Sequence, residues 1–306
     1  MRWIALILLA AGVARADEND LQLFRLGHPD AINCTRCDGS SGDAPEPGTP
    51  DAQARFHRLA STLGMAFAPP FQEPAGTLGQ SGFELGLSSN QAFLKLDGST
   101  WTTNGTASGK DAPKVLIIPT LTARKGLGGS VELGVAVSWL SASQMGAVSA
   151  EVRIAPLDGV AYAPDLGMRA WGTRPFGTQE LDLFTAGADV LLSKSFGLGG
   201  MVKLQPYFQG GVQWINAVSA VVDFKPTAES SVNPTADDGI FQDISFLKNR
   251  YLRGALGVRL VAGAVVLAVE GNLVQGTNAV SDVAPSTDPK NFVRLYSLSG
   301  RLGFTY

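Results

Sequence analysis

Histidine is nearly missing from this chain: its 306 residues include two, His28 and His57. A serine nucleophile therefore has few bases to pair with, and an imidazole-rich metal centre has little to draw on. Cysteine is as scarce, with the single pair Cys34 and Cys37. Haem attachment to such a pair needs His directly after the second Cys, and Asp38 stands there. A zinc site would need two more ligands from those two histidines. A redox site or a metal half-site are the sharper readings. With no thioredoxin-like βαβ pattern around the pair, it reads best as a short disulfide formed in an oxidising compartment. Charge is low, 17% of residues against about 25% in ordinary globular domains. The net charge of −3 leaves no basic excess for nucleic acid. No run of about 18 apolar residues exists, so no transmembrane helix is predicted. No Gly-rich loop leads into a helix, and no cofactor is expected.

What the chain does have is glycine, 36 residues, and alternation. The last segment sets Tyr296, Leu298, Gly300, Leu302, Phe304 and Tyr306 on one face. Ser297, Ser299, Arg301, Gly303 and Thr305 lie on the other. An apolar face carried to an aromatic terminus suits a strand with lipid on one side. This ending resembles the C-terminal assembly signal of Gram-negative outer-membrane β-barrel proteins, with Tyr306, Phe304, Leu302 and Leu298 as its apolar positions. The resemblance implies a closed antiparallel barrel, a lipid environment and the barrel-assembly machinery as partner.

The other end agrees. Met1 and Arg2, the apolar run from Trp3 to Val13, and Ala14-Arg15-Ala16 have the order of a secretory signal peptide. Residues 1–16 are expected to be removed, taking the net charge from −3 to −5. Residues 17–76 form a second region, expected in the periplasm. It contains the cysteine pair, a Gly-, Pro- and Ser-rich linker from Gly39 to Pro50, and a helix over 51–67. In that helix Phe56, Leu59, Ala60, Leu63 and Phe67 share one face, and Pro69-Pro70 stop it. The helix is expected to plug the barrel or cap its mouth rather than lie on the membrane.

Residues 77–306 read as the barrel. Period-two patterning predicts ten strands: 82–94, 114–124, 130–140, 147–155, 166–173, 181–195, 202–222, 251–261, 264–275 and 292–306. Counts of eight or twelve also suit signals this weak. With both barrel ends in the periplasm, the long links 95–113, 223–250 and 276–291 all fall on the outer side. The tight links 125–129 and 262–263 fall on the inner side. Pro119 and Pro206 interrupt predicted strands, so bulges or shifted strand starts are expected there.

The alternation forces a register. An Arg or Lys on the lipid face would cost about 2–4 kcal/mol at the midplane. Glu84, Glu132, Glu151, Asp189 and Glu270 must therefore face inward with Arg124, Arg153, Arg169, Lys203, Arg253, Arg259 and Arg301. In a barrel this narrow the balanced set predicts a luminal charge network rather than a wide aqueous channel. Trp139, Trp214, Tyr251 and Tyr296 are expected to form an outer aromatic girdle, with Phe304 and Tyr306 at the inner one.

Some outer-membrane barrels are enzymes that use a His near the outer rim. Here both histidines precede the first strand, so catalysis is not expected. The leading functional expectation is a structural barrel or a narrow passive pore for small or hydrophobic solutes. Surface recognition through the long links is the first alternative, its protein partner unknown. A secreted, soluble β-sandwich binding protein is the second.

Overall fold

The computed structural model describes residues 17–27, 52–70, 72–96, 98–160, 162–224, 238–247, 249–279 and 292–306. The signal-peptide, cysteine-pair and linker readings lie outside them. A short 3-10 turn, Leu23–Leu26, and helix α1, Ala52–Ala66, precede the sheet. Then follow β1 (Phe83–Phe93), α2 (Asn104–Ala107), β2 (Val115–Gly128), β3 (Val131–Trp139), β4 (Gly146–Leu157), β5 (Asp165–Phe176) and β6 (Leu181–Ser193). The short β7 (Phe196–Leu198) leads to β8 (Val202–Ser219), and the two-residue β9 (Val222–Asp223) and β10 (Asp238–Gly239) pair with each other. The chain ends with β11 (Arg250–Ala262), β12 (Val265–Ala279) and β13 (Phe292–Thr305).

Ten long strands, β1–β6, β8 and β11–β13, form the wall. Each pairs antiparallel with its neighbours. The sheet closes because β13 returns to β1, Glu84 opposite Thr305 through Phe93 opposite Tyr296, and because β8 pairs with β11. Closure removes the free edges that an open sheet would present. The ten predicted strands are the ten observed.

The outer surface is an apolar band. Leu85, Leu87, Leu121, Leu133, Val135, Val148, Val190, Phe208, Leu252, Leu256, Val269 and Leu302 are all exposed on it. The intervening residues of the same strands are buried in the lumen. A soluble sandwich would hide the apolar face and wet the polar one. This barrel does the reverse, which is the arrangement of a membrane β-barrel.

We call the end where β1 begins and β13 finishes the near end. Its turns are short: 129–130, 158–164 and 263–264, with β7 folded into 194–201. Gly263 supplies the positive φ that the tightest of them requires. The far end carries the longer links 94–114, which contains α2, and 220–249, which contains β9 and β10.

The two prolines do not produce the expected bulges. Pro119 sits opposite Ser89 in an unshifted β1–β2 register. Even-numbered residues make the hydrogen bonds of that pair, as Leu94 N–H to Lys114 C=O shows, so the donor Pro119 lacks would face β3. The β2–β3 ladder stops at Thr120–Ser138, yet Ser141 N–H donates to Ile117 C=O beyond it in the same register, so Pro119 costs one ladder bond without shifting the register. Pro206 stays in register with Val258 of β11. On its other side it faces Lys194, where the chain between β6 and β7 leaves the ladder and rejoins it without slipping register. Register shifts occur instead at 126–128, 154–157 and 275–279.

Candidate functional site

The lumen is the candidate site, and the chain itself occupies it. Residues 52–70 and 72–80 run through it from the far half toward the near end, and the two halves of this plug are built differently.

In the far half the plug is α1. A helix on a protein surface would bury one stripe; this one is buried on nearly every side, from Phe56 and Leu59 through Ala66. The barrel encloses it with inward Leu116, Ile118, Leu140, Leu181, Leu183, Ile215, Ala217, Val274 and Leu295. Phe56 stacks on Phe241, centroids 4.7 Å apart. Gly64 lies against Ile215, where a Cβ would come within 2.9 Å. Polar contacts are few and matched. Ser61 Oγ meets the Tyr251 hydroxyl at 2.5 Å and His57 Nε2 meets Asn249 Oδ1 at 2.9 Å. Gln53 and the backbone of Gln242 exchange two hydrogen bonds. Burial holds His57 below its ordinary pKa; the Asn249 bond opposes this and Arg58 adds to it.

In the near half the plug is extended and proline-rich, and its contacts are ionic. Prolines keep a carbonyl but lack an N–H, so the wall must supply donors. Arg169 donates to the carbonyls of Pro69 and Pro70, Arg253 to Pro69 at 3.0 Å, and Arg153 to Pro74. Gln209 donates to the Glu73 carbonyl. In return Glu270 accepts from Gln72 N–H and Glu132 from Leu78 N–H at 3.0 Å.

The wall charges also bind one another. Arg124 meets Glu151 at 3.0 Å, and Arg169 bridges Glu151 at 3.1 Å and Asp189 at 3.0 Å. Arg153 meets Glu132 at 3.1 Å, while Arg259 and Arg301 share Glu84. Asp189 also accepts from Trp171 Nε1 at 2.8 Å, and Arg253 lies over the Trp171 ring. Two close approaches use glycine: a side chain at Gly211 would collide with Asp189, and one at Gly257 with Tyr207.

Eleven of the twelve charges named from sequence are thus brought together. Lys203 is not among them: it stands exposed at the near rim. The centre of the network is a residue sequence reasoning missed. Glu73 pairs with Arg124 and Arg301, and with Arg153 at 3.8 Å. It lies in an aperiodic stretch between prolines, where no pattern marks a buried acid.

Three expectations are corrected. Tyr251 does not belong to the girdle: it alternates with outward Leu252 and is buried against Ser61. Residues 17–76 were expected on the side of the barrel ends. Instead residues 17–27 lie on the far rim, where Leu21 bridges Thr103, Asn19 N–H donates to Ala142 and Leu23 N–H to Glu180. Burial raises the pKa of Glu180, opposed by that Leu23 bond. His57 likewise sits inside the far half of the barrel, so the premise that no histidine lies there fails.

Trp139 and Tyr296 face outward at the far end, and Trp214 packs with Phe246 of the 238–247 segment. Leu298, Leu302, Phe304 and Tyr306 are exposed on the outer face. No protein-family model matches the chain, and no curated protein sequence matches it. Among solved structures it is similar to the outer membrane protease OmpT from Escherichia coli, at 9% identity over 74% of this chain and 95% of that one, TM-score 0.37. It is also similar to the N-terminal β-barrel domain of Pseudomonas aeruginosa OprF, at 10% identity over 74% and 99%, TM-score 0.29. The outer membrane protein OprG of Pseudomonas aeruginosa gives 8% identity over 76% and 99%, TM-score 0.27. Likeness of this size bears on neither activity nor ligand.

Proposed function

We propose that this is an outer-membrane barrel, near end in the periplasm, that rests closed and acts as a gated passive path for small solutes. The observation that carries the reading is the bonding of the near-half plug. A barrel needing only rigidity could fill its lumen with apolar side chains, as the far half does. Here the wall holds an extended chain by ion pairs and carbonyl contacts, groups that water can replace when the chain moves. Catalysis has no part in this reading. Ser61, the hydroxyl beside His57, is fully buried and engaged by Tyr251.

The test begins with fractionation. The protein should sediment with outer membranes and change mobility on a gel when boiled. In a planar bilayer the unmodified protein should be silent, and moderate urea should induce discrete conductance steps. Steady conductance without urea would overturn the closed state. Silence at every urea concentration that preserves the gel shift would leave a structural barrel alone.

Surface recognition is a second reading, favoured by the far rim. The 17–27 segment is bonded there to three separate links, through Ala142, Thr103 and Glu180, which makes a fixed surface of otherwise irregular chain.

A further inference from the structure

We propose that the barrel wall contains a binding site for a small carboxylate, which the plug fills at rest with Glu73. This rests on the gated reading above only for its access; the site itself belongs to the wall. Among the described residues, the buried wall network has six guanidinium groups: Arg124, Arg153, Arg169, Arg253, Arg259 and Arg301. It has five carboxylates, from Glu84, Glu132, Glu151, Asp189 and Glu270. Asp165, buried where β5 begins at the near end, brings the buried wall acids to six, so the site is marked by where the arginines turn and not by a charge count.

Three of the arginines turn to one place. Each of Arg124, Arg153 and Arg301 already touches a wall acid, and all three also turn to Glu73. One Glu73 oxygen takes Arg124 and Arg301, and the other faces Arg153. Three guanidinium nitrogens, one from each arginine, converge on the two carboxylate oxygens, an arrangement of positive charge and N–H donors that favours an anion over a neutral group. Glu73 is thus a ligand tethered to its own receptor. When the near-half plug withdraws, it leaves three arginines converging on an empty position. A solute bearing a free carboxylate is what they are arranged to take.

The experiment uses the full chain in detergent with Glu73→Ala, which removes the tethered carboxylate and leaves room for a free one. The readout is the temperature at which the unboiled gel band converts. It should fall by roughly 10 °C from wild type, the scale expected for breaking a buried ion pair. Formate should restore it in a saturable way. Chloride at equal ionic strength and neutral formamide should not. Glu73→Gln keeps the shape and fills the position with an amide, so formate should do little to it. It also serves if Glu73→Ala fails to fold. In that case Glu73→Gln should convert at a lower temperature than wild type. Rescue equal with formate, chloride and formamide, or a Glu73→Ala or Glu73→Gln protein as stable as wild type, would overturn the site. In urea-opened bilayers formate should also permeate or block more strongly than an equal-sized cation. Loss of that signal with rescue intact would count against the gate, whereas loss of rescue counts against the site.

Discussion

The two halves of the plug solve one problem, a filled lumen in a membrane, by opposite means. In the far half a buried helix meets an apolar wall and the result is a hydrophobic core like that of a soluble protein. In the near half an extended chain meets arginines and carboxylates. The apolar half gains from water exclusion wherever its side chains pack. The ionic half is stable only while every charge keeps its partner, because a lone buried charge is costly. The first is a tolerant anchor, and the second is an all-or-none latch.

That contrast predicts the largest effects. Arg169→Ala removes one partner each of Glu151 and Asp189 and a donor to two proline carbonyls. It should cost about 3–5 kcal/mol, as loss of one member of a buried pair does, measured by denaturant titration of the gel-shift band. Leu63→Ala in the far half should cost about 2–5 kcal/mol, leaving a cavity against fully buried neighbours. Because the two sites lie in different halves, the double variant should be additive within about 0.5 kcal/mol. Coupling above about 1 kcal/mol would mean that the halves are one unit and that the near half cannot move alone.

The sequence showed the anchor more readily than the latch, for physical reasons. A helix and a membrane strand each repeat, so Phe56, Leu59 and Leu63, and Leu298, Leu302 and Phe304, declare their faces at 3.6 and 2 residues. The charge network was legible by exclusion, since lipid forbids those arginines on the outside. Glu73 repeats with nothing, and its role depends on four strands, β2, β4, β8 and β13, that meet only after closure. The apolar far lumen did leave a trace. Val115, Leu116, Ile117 and Ile118 form an unbroken apolar run in a strand that alternates elsewhere, with Leu116 and Ile118 buried toward α1 and Val115 and Ile117 in the outer apolar band. The prolines misled because a missing N–H removes one bond from a ladder whose neighbouring bonds still hold the register.

A smaller effect separates the halves by pH. His57 is held low by burial, so its neutral form is favoured in the fold. The contribution is present above about 6.5, its unfolded value, and is lost as pH falls toward the folded pKa. Acidification from pH 7 to 5 should therefore loosen α1, and His57→Gln should remove that slope. Glu180 runs the other way: its raised pKa makes its contribution fade as pH rises above the ordinary carboxylate range. The slope is best read in a Glu180→Gln background, by hydrogen exchange of residues 52–66 against residues 72–80. Equal loosening of both segments would remove the distinction between anchor and latch.

The smallest effect comes from a pair of the same residue types as Arg169–Asp189 at the opposite extreme of exposure. Arg174 and Asp182 lie on the same two strands, β5 and β6, and meet at 2.9 Å. They face outward at the far rim, with side chains 68% and 60% exposed, against 1% and 0% for Arg169 and Asp189. Residue types, strands and distance match, so the difference lies in burial and in the further partners the buried pair has, Glu151 and two proline carbonyls for Arg169 and Trp171 for Asp189. Water screens the exposed pair and solvates either partner left alone, so Arg174→Ala should change stability by about 0–1 kcal/mol. If it costs as much as Arg169→Ala, ion pairing as such stabilises this barrel. The near-half latch would then owe nothing to being sealed from water.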